Sequence, residues 1–545
     1  RSVTATFVLQ HELVVVGAGT GNGSVTSDVA GVSCTLTAGV ASNDCNELYD
    51  EGTAVTLTAA ADAGSRFDSW GGACSGTGTC QVTMDQARSV TATFVLQHEL
   101  TVDGAGVGNG SVTSDLAGIS CTVTAGVASD DCTEVYDGGT VVTLTAVAGG
   151  GSVFDSWSGA CTGAGTCQVT MTQPHNVTAT FEPCTLASPT DTDGDRLPDC
   201  VESNTMVFVN QLDTGTDPTD PDTDGDAISD GDEVLGTLAG LALPQMGTNP
   251  LRQDILIEYD WFDDALDCGA HSHQPTAVVV SLVQTAFANA PVVNPDGSTG
   301  INFIQDYGQG GVFTGGTMIA DADGVLVGGV NDAEFAGHKT ANFDSNRNGY
   351  FHYTILPHRY NTNSNSSGQA EYPGDDLIVS LQCAVTDQNV ANTIMHELGH
   401  NLLLHHGGFE GTNYKPNYNS IMNYKYQFSG IDNNCTPPGD GVLDYSIGVR
   451  PPLDENNLDE TQGICGNPPG PPWDWNQDGD AVDVGLVLDI NLDNSEVGDG
   501  LLEVLEDYND WAFLFFGGLS DADGAPLLQV RQIISCDNPA PARRR

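Results

Sequence analysis

The chain has 545 residues, 39% of them hydrophobic, and its 73 Asp and Glu stand against 15 Lys and Arg for a net charge of −58. That length predicts several domains, about three to five, with a sizeable core in at least one. The charge excludes nucleic-acid binding through phosphate contacts and attraction to an anionic membrane; it leaves cation-binding carboxylates or a surface adapted to salt.

The 15 cysteines recur in close pairs such as Cys74/Cys80 and Cys161/Cys167, which predicts disulfides and an oxidising compartment. The odd count leaves one over, and Cys536 is the one expected. No apolar run is long enough for a membrane span. The opening "RSVTATF", with no initiator Met or signal peptide, reads as the inside of a pattern and so as a fragment. The closing "PAPARRR" reads as a disordered tail.

From the N-terminus, "RSVTATFVLQHEL" starts at Arg1 and again at Arg88, a period of 87 residues, and a degraded copy, "HNVTATF", starts at His175. Each unit repeats "GNGSVTS", a Cys pair (Cys34/Cys45, then Cys121/Cys132), "FDSW", a second Cys pair and "QVTM". Alternating Val and Thr between Gly-rich turns predicts all-β domains with thin cores stapled by disulfides. The lone His11 and His98 are expected to be structural. These units resemble the divergent internalin-type repeats of bacterial surface and secreted proteins, from residue 1 to about 182. That resemblance implies a spacer or adhesive module with a cell-surface or matrix ligand.

After Cys184 the chain turns rich in Asp, Thr, Gly and Pro. "DTDGDRLPDCVE" places Asp191, Asp193, Asp195, Asp199 and Glu202, and "DTDGDAISDGDE" places Asp222, Asp224, Asp226, Asp230 and Glu233, at positions 1, 3, 5, 9 and 12 of a calcium loop. Five carboxylates so crowded repel one another unless a cation holds them. The pair of loops resembles thrombospondin type 3 calcium repeats, although the glycine falls at position 4. A third oxygen-rich stretch, Asp474, Asn476, Asp478, Asp480 and Asp483, offers one more calcium site of less regular spacing.

From about 251 to 517 the pattern is α/β. "RQDILIEYDW", "GYFHYTIL" and "DLIVSLQCAV" read as strands, "PTAVVVSLVQTAFANA" as a helix, and a further helix starts at Thr386 or Asp387. That helix carries "MHELGHNLLLHHGG". His396 and His400, four apart, share one face and can reach one zinc ion, with Glu397 beside them as general base. His406 reaches the same metal only if the helix ends and the chain turns back; if the helix runs on, His405 or another group takes its place. Downstream, "NSIMNYKYQ" holds Met422 and Tyr424, sixteen and eighteen residues past His406.

The long histidine pattern H-E-x-x-H-x-x-G-x-x-H with a downstream methionine turn resembles the metzincin zinc proteases. "DSNRNGYFHY", "PGDDLIVSL" and "DYNDW" extend the likeness, to a secreted bacterial group, over roughly residues 250 to 515. The resemblance implies a zinc endopeptidase acting on protein or peptide substrates, with His396, His400 and His406 as ligands, Glu397 as base, Met422 beneath the metal and Tyr424 stabilising the oxyanion. Leu403 stands where that pattern has glycine, and must accept a left-handed backbone at a cost of roughly 1–2 kcal/mol. His271, His273, His338, His352 and His358 are expected to be structural or surface residues. Cys383 is expected to pair with Cys268, or else to act as an inhibitory thiol, and Cys435 to pair with Cys465.

The expected architecture is therefore multidomain: β-repeat units at 1–94 and 95–183, a calcium-binding segment at 184–250, a metzincin-like α/β catalytic domain at 251–517 and a tail at 518–545. The expected function is a calcium-stabilised, secreted or cell-surface zinc endopeptidase. The alternative is a calcium-binding adhesive surface protein whose metzincin-like domain is degenerate.

Overall fold

The computed structural model describes residues 4, 6–266, 269–321, 323–361, 364, 366–382, 386–466, 470–493, 498–516 and 532–536. The chain divides into two compact units, Arg1–Pro189 and Thr190–Arg545. Among the described residues no helix is long and apolar enough to cross a membrane.

The first unit is all β, and its strands form because Val, Leu and Thr alternate. In Ala54–Ala61 the buried residues are Val55 and Leu57, alternating with Ala54, Thr56 and Thr58, which face outward to differing degrees. The inward set of the first repeat (Leu13, Val25, Leu57, Trp70, Val90, Phe94) recurs in the second as Leu100, Val112, Leu144, Trp157, Val177 and Phe181. Each tryptophan also satisfies its indole N–H, Trp70 on the Gly78 carbonyl at 2.6 Å and Trp157 on the Gly165 carbonyl at 2.7 Å.

The four expected repeat disulfides form: Cys34–Cys45, Cys74–Cys80, Cys121–Cys132 and Cys161–Cys167. Closing loops this short contributes about 2–3 kcal/mol each. One strand, Arg88–Ala105, serves both repeats. Its first part pairs in parallel with Leu13–Gly19, its second with His175–Thr180. The boundary expected at residue 94 thus falls inside a strand.

The second unit is built on a mixed sheet. Its central strand, Asp254–Asp264, pairs in parallel with Asn302–Asp306 on one side and Phe351–Leu356 on the other. Phe351–Leu356 pairs in parallel with Asp376–Val379, and Gly368–Tyr372 then runs antiparallel. Both faces of the central strand are covered, which is why it reads as a continuous apolar run rather than an alternation. Ile255, Ile257 and Tyr259 pack with the helices Ala277–Ala288 and Asp387–Asn401; Leu256 and Phe262 face the opposite layer around Phe335 and Phe351. The buried Arg347 ties two strands by reaching Glu258 and Asp306, each at 2.6 Å.

The expected helices and strands of this unit form, the strand expected over 376–385 only as Asp376–Val379, and Cys435–Cys465 closes as expected. Cys268 and Cys383 lie outside the described residues, as do "PAPARRR" and most of the segment expected to be a tail. Part of that segment is corrected: Gln532–Cys536 is a strand, antiparallel to Gly368–Tyr372 at the edge of the main sheet. Its Ile533/Ile534 pair and the open hydrogen-bonding edge of Gly368–Tyr372 supply the reason.

Candidate metal centre

The helix Asp387–Asn401 starts at Thr386, whose hydroxyl accepts from the Asn389 amide at 3.2 Å. It stops where His406 requires it to. Leu403 takes φ of 73°. Its amide donates to the His400 carbonyl at 3.1 Å, and the Leu404 amide to the Gly399 carbonyl at 2.8 Å. These are the two bonds of a Schellman ending, with leucine in the position glycine usually fills. The chain turns back, and His406, not His405, joins the other two histidines.

The three imidazole centroids lie 4.8 to 5.3 Å apart, and Nε2 of His400 and His406 are separated by 3.2 Å. Nδ1 of His396 donates to the Ile421 carbonyl and Nδ1 of His400 to the Leu404 carbonyl, both at 2.7 Å. A carbonyl only accepts, so each ring carries its proton on Nδ1 and presents Nε2 as a lone pair, as a metal ligand must. His396 Nε2 and Glu397 Oε1 are buried without a hydrogen-bond partner, a state that buried polar atoms rarely sustain. Burial pushes His396 down to about 4 and His400 and His406 well below their ordinary value, which keeps the rings neutral. Burial pushes Glu397 well above the carboxylate range. The donor set therefore fits zinc: neutral nitrogens converging on one point beside a carboxylate.

Met422 lies in a tight turn closed by the Asn423 amide on the Ser420 carbonyl at 3.1 Å. It is wholly buried under the helix, so close that a Cβ on Gly399 would meet its Sδ at 2.3 Å. The same turn offers the Ile421 carbonyl that orients His396. Tyr424 lays its ring 4.3 Å from His406 and 5.6 Å from His396. A fourth candidate ligand was not foreseen here: Sγ of Cys536 sits 3.3 Å from Glu397 Oε2, 3.5 Å from His400 Nε2 and 3.7 Å from His406 Nε2. His396, His400, His406 and Cys536 place their ligand atoms within 4.8 Å of one another. The signal in the sequence was the leftover cysteine; its destination was not readable.

The acidic stretches are folded as tight loops. Arg196 and Ala227, at position 6 of each, take left-handed φ of 85° and 72°. The sharp turn that a calcium loop needs at position 6 is thus made without glycine. Asp191 and Asp222 accept backbone amides of their own loops, and Asp199 and Asp230 each brace a threonine, Thr192 at 2.7 Å and Thr223 at 3.0 Å.

The remaining carboxylates turn inward and crowd. Asp195, Glu202 and Asp230 form one group that joins the two loops, and Asp191, Asp193 and Asp195 another. Buried oxygens of Asp193, Asp195, Glu202, Asp224 and Glu233 have no hydrogen-bond partner. Burial, reinforced by neighbouring carboxylates, pushes Asp195 to about 6, Glu202 to about 8 and Asp224 to about 9, and Asp226 and Glu233 well upward. Orphaned oxygens among mutually repelling carboxylates fit a hard dication. Asp254 belongs to this crowd, with its amide on Asp226 Oδ2 at 2.6 Å; it opens the central strand, where no spacing rule would have pointed to it. The third stretch is different. Asp474 accepts the amides of Asp478 and Gly479 at 3.2 and 3.0 Å, Asn476 donates to Asp483 at 3.0 Å, and Asp478 and Asp480 are exposed.

Among known families, the divergent InlB B-repeat domain matches residues 29–98 and 101–185. The chain therefore carries repeats of that type, disulfide-stapled, in keeping with an extracellular or cell-surface setting. No curated protein matches the chain. Solved structures with some likeness include a C-terminal fragment of the pilus adhesin SpaC of Lactobacillus rhamnosus GG, at 10% identity and a TM-score of 0.15, covering 33% of this chain and 100% of that one. The shaft pilin SpaA of the same organism gives 10%, 0.13, 33% and 100%. The major pilin T-13 of Streptococcus pyogenes gives 10%, 0.12, 33% and 97%. At such TM-scores the likeness carries no argument. None of these matches is to a peptidase.

Proposed function

We propose that the second unit is a zinc endopeptidase of metzincin type, acting outside the cell on protein or peptide substrates and stabilised by calcium. The observation that carries this reading is the turn at Leu403. It brings His406 onto His396 and His400 with two imidazole tautomers already set for metal. Zinc bound there supplies Lewis-acid polarisation of the scissile carbonyl and of an attacking water. Glu397, next to the first ligand, would be ionised by the cation bound beside it, take the proton from that water and hand it to the leaving amine. Tyr424, its ring 4.3 Å from His406, would donate its hydroxyl to the developing oxyanion. The edge of Gly368–Tyr372, paired here with Gln532–Cys536, is where an extended peptide would add. The acidic loops hold calcium against the start of the central strand.

Zinc content and casein hydrolysis of the chain, compared with Glu397→Ala, test this directly. Stoichiometric zinc, with hydrolysis lost in the variant, supports the endopeptidase; absence of both zinc and hydrolysis refutes it. A second reading has its own support. The B-repeat match favours an extracellular adhesive protein, and on that reading the histidine centre is degenerate and the chain acts by binding a surface ligand. The same experiment separates the two.

A further inference from the structure

We propose that Asp264, His271, His273 and His358 form a second transition-metal site, closed by protein ligands and suited to zinc. These histidines were expected to be structural or surface residues; the fold instead collects them, with Asp264, from three segments. Asp264 ends the central strand, and His271 stands opposite it in a short antiparallel ladder. His273 lies two residues on, and His358 follows the strand Phe351–Leu356. Asp264 Oδ2 lies 2.9 Å from His273 Nε2 and 3.4 Å from His358 Nδ1, and its Oδ1 lies 3.6 Å from His271 Nδ1, which also stands 2.8 Å from the Gly269 carbonyl and would exchange that contact for the metal.

The imidazole centroids are 4.6, 5.4 and 5.5 Å apart, with planes at 70 to 73° to one another. That is the spacing of the three histidines around His396. All four ligand atoms lie within 4.8 Å of one another. The carboxylate is 4% exposed, and the side chains of His358 and His273 are 0% and 11% exposed. Three imidazoles and one carboxylate make a tetrahedral set that favours zinc over calcium or magnesium. With four protein ligands the site is structural.

Its place in the fold says what it would hold. The His358 carbonyl accepts the Gln382 amide at 3.0 Å. His271, His273, Gln382, Thr386 and Asp387 border one cavity of about 230 Å³ at the start of the helix that carries His396. Thr276, the cap of the other helix, donates to Asp387 at 2.8 Å. A metal here would pin the end of the central strand to the starts of both helices.

The test is zinc stoichiometry of the full chain in calcium-containing buffer. His396→Ala/His400→Ala should retain one zinc, bound through nitrogen and oxygen by X-ray absorption, and adding His273→Ala/His358→Ala should remove it. A folded His396→Ala/His400→Ala chain without zinc overturns the proposal and leaves Asp264 as a plain hydrogen-bond acceptor. If that variant loses its fold by circular dichroism, zinc titrated into the chelator-stripped wild type decides. Two equivalents support the site, and a single equivalent overturns it.

A separate observation carries a second inference, which rests on the zinc reading above. We infer that Gln532–Cys536 is an autoinhibitory latch. The strand covers the whole edge of Gly368–Tyr372, from Gly368 opposite Cys536 to Tyr372 opposite Gln532. A Cβ on Gly368 would lie 2.2 Å from Glu397 Oε1, so this edge borders the general base and is where an extended substrate would add. Cys536 is wholly buried, and its thiol stands against Glu397, His400 and His406. As a thiolate it would complete the zinc shell and fill the position that an attacking water needs.

Cobalt substitution of the full chain tests this by absorption as well as activity. The wild type should show thiolate-to-cobalt charge transfer, and Cys536→Ala should lose it, bind cobalt still, and cleave casein at least about tenfold faster. Cobalt loading without that band in the wild type overturns the latch alone. No loading at all overturns the zinc reading and the latch with it.

Discussion

Leu403→Gly isolates the one departure from the histidine pattern. Leu403 sits at φ of 73°, and glycine there relieves roughly 1–2 kcal/mol of left-handed strain. Against this, glycine costs about 0.5–1 kcal/mol in unfolded-chain entropy. Losing a half-buried leucine side chain costs about 1 kcal/mol more. The terms cancel to within about 1 kcal/mol, so zinc affinity should change by less than about fivefold. Leu403→Val adds a β-branch that the left-handed region tolerates badly and should weaken zinc by about 5- to 30-fold, equivalent to roughly 1–2 kcal/mol. Competition titration against a chelator measures both. If Leu403→Gly tightened zinc by more than about 30-fold, some 2 kcal/mol, the strained turn would not be forming as described. The reasoning that Leu403 is tolerated would then be refuted.

Gly399→Ala should destabilise the site by about 1–3 kcal/mol, because its Cβ would meet Met422 Sδ at 2.3 Å; zinc affinity and thermal unfolding report it, and an unchanged pair would show that Met422 yields freely. Tyr424→Phe should lower kcat by roughly 10²-fold with KM little changed, if its hydroxyl meets the oxyanion; an equal rate would remove it from the mechanism. Calcium removal should expose a pH dependence of a particular sign. Asp195, Glu202 and Asp230 are raised from ordinary values of 3.8 and 4.5 to about 6, 8 and 7, by burial first. Raised carboxylates contribute stability below their unfolded values and lose it as pH rises through the folded ones. The chelated chain should therefore melt progressively lower from pH 4 towards pH 8, and calcium should flatten the slope. A chelated chain that gained stability over that range would contradict the crowding of these carboxylates. Chelation should also sensitise the acidic loops to added protease.

Local pattern was enough where local rules govern. The 87-residue repeat, the alternation of Val and Thr and the paired cysteines determined the repeat strands and their disulfides. The spacing of His396 and His400 on a helix fixed their common face, because four residues is close to one turn. Even the need for a left-handed Leu403 followed from where His406 had to go. The boundary expected at residue 94 falls inside a strand, because a strand need not end where a repeat does.

What only the tertiary structure decided are the meetings between distant segments. Asp254 joins the acidic crowd from the start of a strand, Asp264 collects three histidines expected to act singly, and Cys536 returns to Glu397 from 139 residues away. Periodicity and spacing act over a few turns of chain. They specify which face a residue occupies but not which other segment will face it, since that depends on sheet order and on which strand takes the edge of Gly368–Tyr372. The ligand types at the candidate centres were thus written in the sequence, while the sets they form were set by strand order.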